Sequence, residues 1–99
     1  MSSKEYVDNL QREFSKHADP LKASWEKKYM LNQFEFLGMT TPTRREITKK
    51  LIQRIGLPGN SQTESVVKML WKMEQREFQY AAMEIAERKC GEDMKFRFN

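Results

Sequence analysis

Apolar residues return at helical spacing in one segment after another, and this period commits the chain to a helical fold. Tyr6, Val7, Leu10 and Phe14 fall at i, i+1, i+4 and i+8 and form the first stripe. Leu21, Trp25, Tyr29 and Met30 are the candidate inward groups of a second helix. Ile47, Leu51, Ile52 and Ile55 mark a third, and Val66, Val67, Leu70 and Trp71 a fourth. Phe78, Ala81, Ala82 and Ile85, with Cys90 as a further candidate, mark a fifth. Sheet-rich domains of this size need more turn residues than the three Pro and four Gly present here.

Start and stop signals divide the stripes. The first helix is expected over residues 3–17, where Ala18-Asp19-Pro20 stops it. Asp19 can cap the second helix, with Pro20 at its first position, and that helix runs to about Leu31. Residues 32–40 have no clear period and read as a short helical turn followed by a loop. Thr41 is expected as N-cap and Pro42 as first residue of a third helix that continues to Ile55, where Gly56-Leu57-Pro58-Gly59 ends it. Ser61 and Glu64 have the spacing of a capping box for a fourth helix over about 62–72. The fifth is expected over 75–89, with Gly91 placed to end it. Residues 92–99 read as a truncated or disordered tail. Five helices of this length, joined by short turns, suit either a bundle or the beginning of an α-solenoid.

A chain of 99 residues holds one small domain, here expected to span residues 1–99. Although 32% of residues are charged, 11% aromatics and a helical period argue against disorder. The single cysteine, Cys90, excludes an internal disulfide and a cysteine-rich zinc site, and His17 is the only histidine. We read His17 as a partner for the negative end of the first helix, and we expect no metal or cofactor. With no apolar run at the start, a secretory signal is not expected. No segment approaches the length of a membrane span, so a cytoplasmic setting is the default.

The formal net charge is +4. The third helix carries Arg44, Arg45, Lys49, Lys50 and Arg54 against Glu46 alone, and the rest of the chain balances. A helix start exposes backbone N–H groups and a partial positive charge, so acidic residues are favoured there. This one places Arg44 and Arg45 in its first turns instead. Phosphate set against that end would reverse the penalty by accepting bonds from backbone N–H, from the Thr41 or Thr43 hydroxyl, and from a guanidinium. Lys49, four residues after Arg45, extends the same face. The competing reading is a solvated charged face. Trp25, Tyr29, Phe34 and Phe36 precede this helix. Core packing is favoured for Trp25, Phe34 and Phe36, with an aromatic wall beside nucleic acid as the alternative. Tyr29 stays open between the two. Trp71 and Phe78 are assigned to the core.

Tyr29-Met30-Leu31-Asn32, then Phe36-Leu37-Gly38-Met39, then Thr41-Pro42-Thr43-Arg44-Arg45 resemble the opening of the DNA alkylation repair proteins of the AlkD type. Leu70-Trp71 and Arg76-Glu77-Phe78-Gln79 with Ala81-Ala82 continue the match in order, so that it covers about residues 5–90. The resemblance implies an α-solenoid of HEAT-like helical pairs that cradles duplex DNA. It implies excision of alkylated purines such as 3-methyladenine and 7-methylguanine. It would set Thr41, Pro42, Arg44 and Arg45 along the DNA backbone and Tyr29 close to the lesion. The family's Trp-Trp-Asp catalytic segment is absent from these 99 residues. An alkylated purine is already a good leaving group, and the enzyme must stabilise positive charge on the sugar with a carboxylate and aromatic faces. The expectation is therefore the N-terminal portion of such a glycosylase, a truncated gene product or a fragment. It would hold double-stranded DNA by its backbone, independently of sequence, without cleaving it. An open solenoid end also leaves room for self-association. The rival is a helical-repeat module for a protein partner, and the two differ in whether the basic residues of the third helix face one concave surface.

Overall fold

The computed structural model describes residues 1–98, and for residues 92–98 the backbone only. Five helices are present: α1 (Ser3–Lys16), α2 (Pro20–Tyr29), α3 (Thr41–Ile55), α4 (Thr63–Trp71) and α5 (Arg76–Phe98). The fold is all-α, and no strand occurs among the described residues. One backbone bridge joins Glu35 to Gln75, with the Arg76 N–H donating to the Glu35 carbonyl at 2.8 Å.

Helices α1, α3, α4 and α5 enclose one core. Tyr6, Val7, Leu10 and Phe14 of α1 are all buried, as their spacing requires. Ile47 and Leu51 meet them from α3, Val66 and Leu70 from α4, and Phe78, Ala81, Ala82 and Ile85 from α5. Phe14 and Phe78 stack with ring centroids 5.4 Å apart. Ala81 and Ala82 are fully buried, and their small side chains let α5 lie close against its neighbours.

Several expectations need correction. The second helix buries none of its residues, and Leu21, Trp25 and Tyr29 are 64%, 67% and 86% exposed. Its half-buried side carries Lys22, Ala23, Glu26 and Lys27 instead. The cause lies at Gly38, whose φ of 91° belongs to glycine. A Cβ there would stand 2.0 Å from the Asp19 carbonyl oxygen and 2.7 Å from the Ala23 nitrogen. Backbone approaches backbone at this point, and that contact decides which face of α2 turns inward. The short helical turn expected in 32–40 does not form, because Leu31 and Asn32, with φ of 57° and 59°, lie in the left-handed region. Phe34 and Phe36 are only half-buried.

Thr40, not Thr41, caps α3, so that Thr41 and Pro42 are its first two residues. The Ser61–Glu64 capping box does not form. The Gln62 and Thr63 N–H groups both bond the Gly59 carbonyl, the helix begins at Thr63, and Glu64 pairs with Lys68 at 2.8 Å. Trp71 is half exposed, and Cys90 is exposed. The fifth helix passes through Gly91 instead of ending there. Asn99 and the side chains of 92–98 lie outside the described residues, and the expected tail falls there.

Two buried polar groups tie the helices together. The Glu77 carboxylate at the start of α5, 3% exposed, accepts the Leu37 N–H at 2.9 Å and the Gly38 N–H at 3.0 Å. The Asp19 N–H donates in turn to the Leu37 and Gly38 carbonyls, and the Asp19 side chain caps α2. The Tyr6 hydroxyl donates to the Gly56 carbonyl at 2.7 Å and so anchors the end of α3 to α1. Burial pushes the Tyr6 phenol up to about 12.

Glu77→Ala leaves two backbone N–H groups without an acceptor, and we expect it to lower unfolding free energy by roughly 3 kcal/mol in urea titrations. Tyr6 titrates higher folded than unfolded, so the folded state holds its proton longer. Its contribution is complete below the ordinary value of 10.0 and is lost as pH rises through about 12. Urea midpoints of the wild type should fall across that window more steeply than those of Tyr6→Phe.

Candidate nucleic-acid interface

The α3 helix start is built by Thr40. Its hydroxyl accepts the Thr43 N–H at 3.3 Å and donates to the Thr43 hydroxyl at 2.9 Å. Pro42 has no N–H, and its fixed φ suits the first turn. No acidic residue lies in that turn. Thr41 and Pro42 are exposed, and Thr43 is half-buried with its hydroxyl engaged.

Arg44 and Arg45 part company. Arg45 points to solvent, as does Lys49 one turn later, and neither forms an ion pair among the described residues. Arg44 is only 8% exposed. Its guanidinium lies over the Tyr80 ring at 4.9 Å, and it has no side-chain hydrogen bond or ion pair among the described residues. Burial pulls the Arg44 guanidinium below its ordinary value, and the negative charge of Glu84 opposes that pull.

Nor do the basic residues of α3 share one surface. Lys50 lies 3.9 Å from Glu46, and Arg54 lies 3.5 Å from Glu13, which also pairs with Lys16 at 3.3 Å. Lys50 and Arg54 line a groove against α1 that Glu13, Glu46 and His17 also line. That groove is mixed in charge and ill suited to an anion. His17 is the C-cap residue of α1, as its position suggested, and its Nδ1 is 3.1 Å from the Glu13 carbonyl oxygen.

On the other side of α3 a groove of about 560 Å³ opens between α2 and α5. Trp25, Glu26 and Tyr29 of α2 face Thr41 and Arg44 of α3 and Tyr80 of α5 across it. Thus Tyr29, Thr41 and Arg44 come together, whereas Arg45 and Lys49 continue along the outer face of α3. Among the described residues Glu26 Oε1 is buried without a hydrogen-bond partner. Burial pushes the Glu26 carboxyl up, Glu77 adds to this, and Lys22 opposes it.

The sequence reading did not single out Glu26 or Tyr80, and it named Arg76 and Glu77 only as part of the Arg76-Glu77-Phe78-Gln79 match. Arg76 lies over Phe34 at 4.5 Å and over Tyr80 at 5.3 Å, and it donates to Gln79 Oε1 at 2.6 Å. Gln79 Nε2 donates to the Trp71 and Met73 carbonyls, both at 3.2 Å, and closes the turn between α4 and α5. Of Arg76-Glu77-Phe78-Gln79, then, Glu77 and Phe78 are buried, Arg76 supports the rings of Phe34 and Tyr80, and Gln79 holds the turn between α4 and α5. One signal for Glu77 was available: it stands four residues before Ala81 and eight before Ile85, on the buried stripe of α5.

The family model for DNA alkylation repair enzymes matches residues 10–98, and the chain belongs to that family. Comparison with curated proteins gives no match. No described helix is long and apolar enough to cross a membrane.

Proposed function

We propose that this chain contributes to repair of alkylated DNA by holding the phosphate backbone of a duplex along the start and outer face of α3. The observation that carries this reading is the exposed, unpaired Arg45 and Lys49 beside a helix start without an acidic residue. Those two cations and the positive end of the helix dipole attract phosphate together, and neither cation is paired with a carboxylate among the described residues. Thr41, Pro42 and Thr43 form the surface at that end, and Tyr29 stands next to it. Arg44, set deeper, reaches phosphate only from within the groove. Contacts of this kind position DNA and do not read its bases. The helices would form the first units of a HEAT-like superhelix, with the face that bears Arg45 and Lys49 turned to the duplex.

Excision of 3-methyladenine or 7-methylguanine is the activity that the resemblance implies for a longer relative. In this chain Glu26 is a carboxylate beside aromatic faces. Burial raises its carboxyl above the ordinary value, and the Trp-Trp-Asp segment that the resemblance associates with excision does not occur in these 99 residues. We therefore assign the described residues to holding DNA. The rival reading, a protein-binding module, draws on the exposed Leu21, Trp25 and Tyr29 and on the division of the α3 cations among separate surfaces. Charge distinguishes the two.

In fluorescence anisotropy at low salt, Arg45→Glu with Lys49→Glu should weaken duplex binding at least tenfold on every sequence tested. Unchanged affinity would remove the basis for this reading. Unchanged capture of a protein partner by the same variant would favour the rival.

A further inference from the structure

Arg76, Tyr80, Glu84 and Arg88 stand four residues apart and form one stripe along α5, beside the stripe that enters the core. Arg44 of α3 meets this stripe at Tyr80. Its guanidinium is 4.9 Å from the ring centre, and Arg76 lies over the same ring at 5.3 Å. Glu84 follows one turn further along. Its side chain is only 13% exposed, and Oε2 accepts from Arg88 Nε at 3.2 Å. Its Oε1 is buried without a hydrogen-bond partner among the described residues.

Two guanidiniums on one ring repel each other, and a carboxylate one turn away offsets that repulsion. Glu84, Tyr80 and Glu77 of α5 help Arg44 to keep its proton, Arg45 of its own helix opposes them, and Glu84 is the strongest of these four charges. Attraction between charges set below the surface is screened much less than attraction in water. Arg44 is therefore drawn inward by a carboxylate of α5, although it stands three residues after Thr41 at the helix start where phosphate is received. Arg45 and Lys49 have no such restraint.

We propose that Glu84 is the internal counter-ion of Arg44: it holds this cation against α5, and a DNA phosphate at the start of α3 must compete with it. The inference rests on the duplex-holding reading and adds a residue that limits how strongly the duplex is held. Through Glu84 the cations of α3 divide into two that are always available and one that is restrained.

The test is a mutant cycle of wild type, Glu84→Gln, Arg44→Met and the double variant. Glu84→Gln keeps the shape of the side chain and an acceptor for Arg88, and Arg44→Met keeps a buried apolar stem. In anisotropy titrations with an intact duplex, Glu84→Gln should tighten binding several-fold at low salt. It should also steepen the log–log salt slope by about 0.9, as one further phosphate contact requires. Both effects should vanish in the Arg44→Met background and persist in an Arg88→Gln background. Tightening that survives Arg44→Met, or that is lost with Arg88→Gln, would overturn the proposal, as would an unchanged slope. Without DNA, the urea midpoint of the double variant should fall by less than the sum of the single shifts. Additive shifts would overturn the counter-ion role while leaving duplex binding in place. A wild type that binds no duplex at low salt would overturn the duplex reading, and the competition with it.

Discussion

The Glu77 carboxylate is the contact on which the arrangement around α3 depends. It stands on the buried stripe of α5 and accepts two backbone N–H groups from the connector that leads into α3. The same two residues offer their carbonyls to Asp19, which begins α2. One buried anion thus joins α5, the lead-in to α3 and the start of α2. Because the second helix buries none of its own residues, this junction does more to place it than hydrophobic packing does. Gly38 makes the junction possible, since any larger residue would meet the Asp19 carbonyl. The groove exists because α2 is held at its start by polar contacts and not drawn onto the core.

Placement of charge along α3 follows from the same geometry. Successive residues of a helix are rotated by about a quarter turn or more, so neighbouring arginines look in different directions. Ile47, Thr48 and Leu51 turn to the core, and Arg44 shares their side. Tyr80, brought up by α5, gives its guanidinium an aromatic surface on which to rest. Arg45 and Lys49 are left on the outer face, and Lys50 and Arg54 turn towards acidic partners. The positive charge that looks like one block in the sequence is divided into three environments. Only the outer one is both exposed and unpaired.

Much of the fold was legible because the buried faces of α1 and α5 are runs of apolar residues at helical spacing. Tyr6, Val7, Leu10 and Phe14, and likewise Phe78, Ala81, Ala82 and Ile85, lie where that period puts them. Leu21, Trp25 and Tyr29 have a helical period too, yet they face solvent. Their orientation is decided by the approach of Gly38 to Asp19 and Ala23, a contact between distant segments that no local pattern encodes. The Thr40 cap was misplaced by one residue because Thr40 and Thr41 are chemically equivalent candidates. Glu26 could not be found in advance, since a carboxylate in a polar helix becomes notable only once its oxygen is known to be buried. In the candidate site, sequence reasoning identified the helix start and its cations. The groove behind them needed three helices to be assembled first.

The central claim is that the face bearing the start of α3, and not its opposite side, meets DNA. Amide chemical-shift mapping of the 15N-labelled chain during titration with an intact duplex tests it most directly. The account predicts salt-sensitive shifts at Thr41, Thr43, Arg45 and Lys49 that extend to Tyr29 at the end of α2. Shifts concentrated instead at Glu13, His17, Lys50 and Arg54, on the mixed-charge groove against α1, would contradict it.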